Sequence, residues 1–61
     1  GNSEAWIENY RGILEYTGER ILLQAKTCQV CLEGTRLSID YYTNEDMKIS
    51  GNISALRYLR E

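Results

Sequence analysis

The sequence predicts an all-β fold: a small antiparallel meander or sandwich, or a partly open barrel, of six to seven short strands. Short runs of alternating apolar and polar residues recur about every eight residues along the chain. Clusters of glycine, asparagine and threonine separate these runs, and such residues favour turns. No segment has a convincing helical period. The chain of 61 residues has room for one domain, which we take to be residues 1–61.

Seven segments are predicted to be extended, and glycines separate several of them. Residues 20–25 would also suit a helix by their leucine and alanine content, but they are too few for a stable helix and they alternate. Gly12, Gly18, Gly34 and Gly51 are predicted to lie in turns, because glycine tolerates positive φ. The predicted strands are residues 3–8, 13–17, 20–25, 28–33, 37–42, 47–50 and 53–59.

The phase of the alternation changes between the fourth and fifth of these segments. Val30 and Leu32 share one face of the first run, whereas Leu37, Ile39 and Tyr41 share one face of the second. Side chains alternate faces with a period of two, so the two sets cannot share a face of one regular strand. Either a tight turn or a β-bulge at the glycine between them is expected to reset the phase.

A core can be predicted from these alternating patterns. A domain this small buries only about 60% of the surface that its unfolded chain exposes, and open sheet edges add to its marginal stability. We therefore expect association with another copy, in the simplest case a homodimer. The predicted core residues are Trp6, Ile7, Leu14, Ile21, Leu23, Val30, Leu32, Leu37, Ile39, Tyr41, Met47, Ile49, Ile53 and Leu56.

Composition argues against nucleic acid and membranes as partners. The net charge is −2, and the seven basic residues are dispersed singly, whereas nucleic-acid binding needs a basic patch. No apolar run approaches the roughly 18 residues of a membrane span. The five tyrosines and one tryptophan could stack bases, but without a basic groove they more simply pack in the core or contact protein.

Cys28 and Cys31 have the C-x-x-C spacing. A structural zinc site needs four ligands, and no histidine or second cysteine pair completes this one within a single chain, although a symmetric dimer could supply four thiolates. In a regular strand the two sulfurs would point to opposite faces, which disfavours chelation and a disulfide alike. We interpret one cysteine as a small buried hydrophobe and one as facing outward. No metal or other cofactor is predicted; a metal- or redox-responsive module is the alternative function.

The sequence predicts no catalytic site. Histidine, the usual general acid–base, is absent, and no spacing marks two carboxylates as neighbours in a cleft. Tyr41 and Tyr42 are adjacent, so one of them must lie outside the core. Tyr42 and Cys31 are therefore the candidate contact residues for a protein partner.

Several stretches resemble the YabP/YqfC family of sporulation proteins, and the YqfC branch most closely. They are residues 9–16, 19–21, 32–34 and 37–39, and 47–53 with the segment that follows to Tyr58. Gly34 and Gly51 match the family pattern, and the two cysteines do not belong to it. Members have usually about a hundred residues, so this chain, which begins without methionine, is expected to be part of a slightly longer protein.

The resemblance implies a non-enzymatic role in sporulation of endospore-forming Firmicutes. The expected place is inside the sporulating cell, in the mother cell or the developing spore envelope, with a link to spore-coat assembly. The family supplies no catalytic or ligand residues. We therefore expect a small interaction or assembly module that associates through a sheet edge or an aromatic face.

Overall fold

The computed structural model describes residues 3–60. Within that range the chain forms five β-strands in one open antiparallel sheet, with strand order β1-β5-β4-β3-β2. The all-β class is confirmed, and the number of strands is five instead of six to seven. The strands are β1 (Ser3–Glu8), β2 (Gly12–Tyr16), β3 (Arg20–Gln24), β4 (Cys28–Tyr42) and β5 (Asp46–Arg60).

The strand number is lower because two predicted turns are strand interiors. Gly34 and Gly51 lie inside β4 and β5, each 15 residues long, and Gly12 begins β2. Gly18 lies in the connection between β2 and β3, where a turn was predicted. The chain passes through Gly34 and Gly51 by bulges, which break the alternation of a strand without ending it.

A β-bulge resets the side-chain phase of β4. Two of its residues, Arg36 and Leu37, oppose the single Gly51 of β5. Arg36 has a positive φ of 55°, as the extra residue of a bulge can. Val30 and Leu32 before the bulge and Leu37 after it consequently all lie in one buried cluster. We call the face of the sheet that carries this cluster the inner face, and the opposite one the outer face.

Glycine is required on both strands near this bulge, where their backbones come closest. A Cβ atom on Gly34 would lie 1.9 Å from the carbonyl oxygen of Asn52. Gly51 has a φ of +137°, and its Cβ would lie 2.5 Å from the carbonyl oxygen of Arg36. The backbones of β4 and β5 approach too closely here for any other residue to fit without a backbone shift.

The last of three register shifts between β4 and β5 turns Tyr41 away from the core. Ile39 opposes Ile49 and Tyr41 opposes Lys48, so Asp40 is an extra residue on β4. Tyr41 therefore lies on the outer face with Lys48 and is exposed. The prediction of Tyr41 as a core residue is wrong, because it assumed unbroken alternation from residue 37 to residue 41.

The core lies on the inner face of the sheet. Its buried residues come from β3, both halves of β4, the first half of β5 and the β1–β2 connection. Besides Tyr41, the predicted core residues Trp6, Leu14 and Leu56 are exposed, and Tyr10, which was predicted to be a turn residue, is buried. The cluster consists of Tyr10, Ile21, Leu23, Val30, Leu32, Leu37, Met47 and Ile49.

Tyr10 is buried in the connection between β1 and β2, the strands at the two edges of the sheet. Asn9, with a φ of 60°, turns the chain out of β1, and the Tyr10 amide donates to the carbonyl of Glu45 at 3.2 Å. The next amide, of Arg11, donates to Gln24 at 2.6 Å, and the Tyr10 hydroxyl donates to the carbonyl of Thr43. This short connection holds β1 and β2, the two outermost strands, near each other.

Candidate interaction site

The two halves of β5 have different neighbours. Residues 46–51 pair with β1 on one side and with β4 on the other. Residues 52–60 pair with β4 alone among the residues that the structure describes. We call residues 52–60 of β5 the open edge. Along such an edge every second residue directs its N–H and C=O groups away from the sheet, where another strand can bind them.

The open edge carries exposed apolar side chains. Leu56 opposes Leu32 and Tyr58 opposes Val30, and residues directly opposite one another share a face. Leu56 and Tyr58 therefore extend the inner face beyond the core, and they are 41% and 70% exposed. Leu59 is exposed as well, and by alternation it lies on the outer face. Apolar surface thus borders the open edge on both sides.

The other edges of the sheet are better protected. The second half of β4 is capped by the β2–β3 region: the Leu37 amide donates to the Gly18 carbonyl at 2.7 Å, and the Ile39 amide donates to the Tyr16 hydroxyl at 3.1 Å. β2 has a bulge at Leu14 that interrupts its register. Caps and bulges are common devices against unwanted strand pairing.

β1 forms the third edge of the sheet, and its exposed face carries charged side chains. Glu4, Trp6 and Glu8 alternate along its exposed face. Ala5 and Ile7 alternate with them and pack against the core. Short length and charge limit pairing with unlike strands, but a strand that offers the matching pattern of charge and apolar side chains could still pair with it.

An aromatic and charged group covers β1 and the first half of β5 on the outer face. The Lys48 Nζ lies 3.0 Å from Glu4 Oε2 and 3.8 Å from Asp40 Oδ2. The same ammonium lies 5.5 Å from the centroid of the Trp6 ring, within cation–π range. Trp6 meets Tyr41 edge to face, with centroids 5.8 Å apart. These contacts join β1 to β5 and β4 across the sheet.

The ammonium of Lys48 is held in its charged form. The hydrogen bond to Glu4 and the charge of the same carboxylate raise the pKa of Lys48 above its usual 10.5. Desolvation opposes this shift, and the charge of Asp40 adds to it. The cation is thus a fixed part of the contact between β1 and β5 near neutral pH.

The two predicted contact residues differ in accessibility. Tyr42 ends β4 opposite Met47 and is 64% exposed, so it is available to a partner. Cys31 is 4% exposed, because β4 is a central strand and Cys31 has Leu22 on one side and Arg57 on the other. Cys31 is therefore not part of an accessible contact surface.

The cysteine pair is not brought together on one face. Cys28 packs against the inner-face core, whereas Cys31, three residues further along the strand, lies on the outer face in register with Leu22 and Arg57. Neither cysteine takes part in a disulfide. Among residues 3–60 no group of three or more histidine, cysteine, aspartate and glutamate side chains is placed to share a metal ion.

Sequence reasoning missed the open edge. Leu56 was predicted to be a core residue because it alternates correctly, and it does lie on the inner face. Its exposure depends on which strand lies beside it: Ser3 pairs with Gly51, and no described residue continues that pairing along β5.

No helix among residues 3–60 has the length and apolar character needed to span a membrane. No curated protein matches this sequence significantly. The profile of the YabP family matches residues 1–61, which is the whole chain. The YqfC branch suggested by the sequence is not distinguished by this match. The chain belongs to the YabP family.

Proposed function

We propose that this chain is a non-enzymatic interaction and assembly module that acts during sporulation of endospore-forming Firmicutes. Its place is inside the sporulating cell, in the mother cell or the developing spore envelope, and its task is to join other protein in forming the envelope or coat. The single observation that carries the interaction role is the open edge of β5, which pairs with no strand but β4 among residues 3–60 and bears the exposed Leu56 and Tyr58.

Family membership and surface chemistry support this proposal in different ways. The match to the YabP family over residues 1–61 supports the sporulation context. The open edge supports binding, because an exposed, apolar-bordered strand is a common docking site for another strand. Main-chain hydrogen bonds would supply affinity there, and the side chains on the two faces would supply selectivity.

A replacement in the sporulating organism tests the proposal. The native gene is replaced by one that encodes Tyr58→Lys, which puts a charge on the inner side of the open edge. We expect normal vegetative growth and fewer heat-resistant spores, together with loss of the partner that the wild-type full-length protein co-purifies from sporulating cells. Leu14→Lys, an exposed apolar residue at the bulge of β2, is the matched control and should sporulate normally.

Two results would contradict the proposal. Normal sporulation after complete deletion of the gene would remove the sporulation role. Equal sporulation and equal co-purification by the wild type and the Tyr58→Lys variant, at equal protein levels, would remove the open edge as the interaction site.

A further inference from the structure

The outer face of the sheet exposes two aromatic side chains that meet across β5. Trp6 on β1 and Tyr41 on β4 are 59% and 48% exposed, and their rings contact edge to face. Tryptophan and tyrosine are among the residues that contribute most to binding at protein interfaces. The aromatic patch is defined as this pair together with the charged side chains around it: Trp6, Tyr41, Lys48, Glu4, Glu8, Asp40 and Asp46.

Carboxylates outnumber cations in the aromatic patch. Glu4 and Glu8 alternate with Trp6 along the exposed face of β1, and Asp46 lies directly opposite Glu8 on β5. Asp40 lies 3.8 Å from Lys48, whose ammonium is the cation within ion-pair distance of the patch. The surface is therefore negative around an exposed aromatic pair, which complements a cationic partner.

The side of the patch near Glu4 shows how this surface holds a cation. The Lys48 ammonium lies 3.0 Å from the Glu4 carboxylate and 5.5 Å from the centroid of the Trp6 ring. One cation thus satisfies a carboxylate and lies within cation–π range of the ring at the same time.

The side near Glu8 has similar chemistry but no cation among residues 3–60. Glu8 and Asp46 oppose each other one pair of outer-face residues beyond Trp6 and Lys48, and both are exposed. Neither carboxylate forms an ion pair within the described range. Like charges directly opposite one another destabilise a sheet, and a cation bound between them would remove that cost.

We propose that the aromatic patch binds an arginine side chain from a basic segment of a partner protein. The guanidinium is planar, so it can stack on the exposed Trp6 ring while its N–H groups donate to Glu8 and Asp46. A lysine ammonium has no planar face and cannot make both contacts equally well. The patch lies on the half of β5 that β1 covers, away from the open edge, so binding there goes beyond the proposed function.

Nuclear magnetic resonance of the full-length protein tests the site. The protein is titrated at low salt with a short peptide of alternating arginine and glycine, which should shift the Trp6 indole N–H resonance to saturation. The same peptide with lysine in place of arginine should bind about threefold or more weakly. A peptide with glutamate at these positions should not bind, and added salt should weaken binding of the arginine peptide.

Neutral replacements of the two carboxylates separate binding from stability. Glu8→Gln and Asp46→Asn should each weaken binding of the arginine peptide by about threefold to tenfold, because each removes a charged acceptor. Each should leave the midpoint of thermal unfolding unchanged or raise it, because the opposition of like charges is gone. Glu19→Gln removes an exposed carboxylate in the β2–β3 connection; it is the matched control and should bind like the wild type.

A replacement of the ring tests the stacking contact. In Trp6→Leu, binding is followed by the amide resonance of Lys48, and thermal unfolding confirms that the variant is folded. Arginine and lysine peptides should bind this variant equally, because the stacking surface is lost while both carboxylates remain.

Three results would overturn the proposal. They are the absence of a saturable shift at Trp6, equal binding of the arginine peptide by the wild type, Glu8→Gln and Asp46→Asn, and equal binding of arginine and lysine peptides by the wild type. The last result would reduce the contact to general charge attraction. None of them bears on the sporulation phenotype of Tyr58→Lys, which tests the open edge separately.

Discussion

The two halves of β5 show what a neighbouring strand does for similar residues. In the first half, Met47 and Ile49 are fully buried beneath the pairing of β1. In the second half, Leu56 and Tyr58 lie on the same inner face, pair with β4 as regularly, and remain exposed. The difference lies in which strand is adjacent, because the residues themselves are comparably apolar. One half of the strand is covered by β1, and no described strand covers the same side of the other half.

The backbones of β4 and β5 approach closely where the described pairing of β1 with β5 stops. Ser3 pairs with Gly51, and a Cβ atom on Gly34 or Gly51 would meet backbone atoms of the facing strand.

The largest effect is expected from filling that close approach. Gly34→Ala would place a Cβ against the Asn52 carbonyl, and we expect a loss of about 4 kcal/mol in the free energy of unfolding, because backbone and not a flexible side chain must move. Urea denaturation followed by circular dichroism measures it. Gly18→Ala, whose Cβ meets no atom within 4 Å, is the control and should change stability little. Equal stability of both variants would contradict the close approach.

The next largest change in the free energy of unfolding is expected from truncating a buried residue in the first half of β5. Met47→Ala removes a fully buried side chain and should lower the free energy of unfolding by about 3 kcal/mol. Leu56→Ala, on the same face in the other half, should lower it by less than about 1 kcal/mol, because the side chain is already hydrated in the monomer. Both are measured by urea denaturation at a concentration where the wild type is monomeric. Similar losses would mean that the halves do not differ in burial.

A smaller loss is expected where β1 is fixed to β5. Trp6→Ala removes the edge-to-face contact with Tyr41 and the cation contact with Lys48, so we expect a loss of about 1 kcal/mol. Leu14→Ala, an exposed change at the bulge of β2, should cost less. A Trp6 variant as stable as the wild type would show that this outer-face cluster does not contribute to holding β1.

The smallest change in stability is expected from the protonation of Lys48, which lies in the half of β5 that β1 covers. Because Glu4 raises the pKa of Lys48, Glu4→Gln should lower that pKa toward its usual value, which nuclear magnetic resonance titration of the Lys48 side chain detects. A raised pKa in the folded state contributes stability at pH values below the unfolded pKa, and this contribution is lost as the pH rises above 10.5 through the folded pKa. The stability difference between wild type and variant should therefore shrink at high pH. An unchanged Lys48 pKa in the variant would contradict the assignment to Glu4.

The sequence was informative wherever local rules decide the outcome. Alternation placed the extended regions to within a few residues, although it divided β4 and β5 in two at Gly34 and Gly51. The polar cluster of residues 43–46 does form a turn, with the Thr43 hydroxyl accepting from the amides of Glu45 and Asp46. The phase change near Gly34 was predicted with two explanations, a turn or a bulge, and the structure has the bulge.

Other features depend on contacts between distant residues. The bulge at Asp40 leaves no mark in the alternation that distinguishes it from a regular strand, so Tyr41 was assigned to the wrong face. Tyr10 resembled a turn residue and is buried in the core, where its amide and hydroxyl donate to carbonyls of the β4–β5 connection. Leu56 and the open edge could not be identified from pattern alone, since a residue is exposed or covered according to which strand lies beside it.

Residue-resolved amide hydrogen exchange of the full-length protein tests the central claim about β5 most directly. We expect the amides of residues 46–51 to be protected at every protein concentration, because β1 and β4 bind them from both sides. Alternate amides of residues 55–60 should exchange rapidly in dilute protein, because no strand among residues 3–60 binds them on the side away from β4. Protection of all these amides in dilute protein would contradict the account.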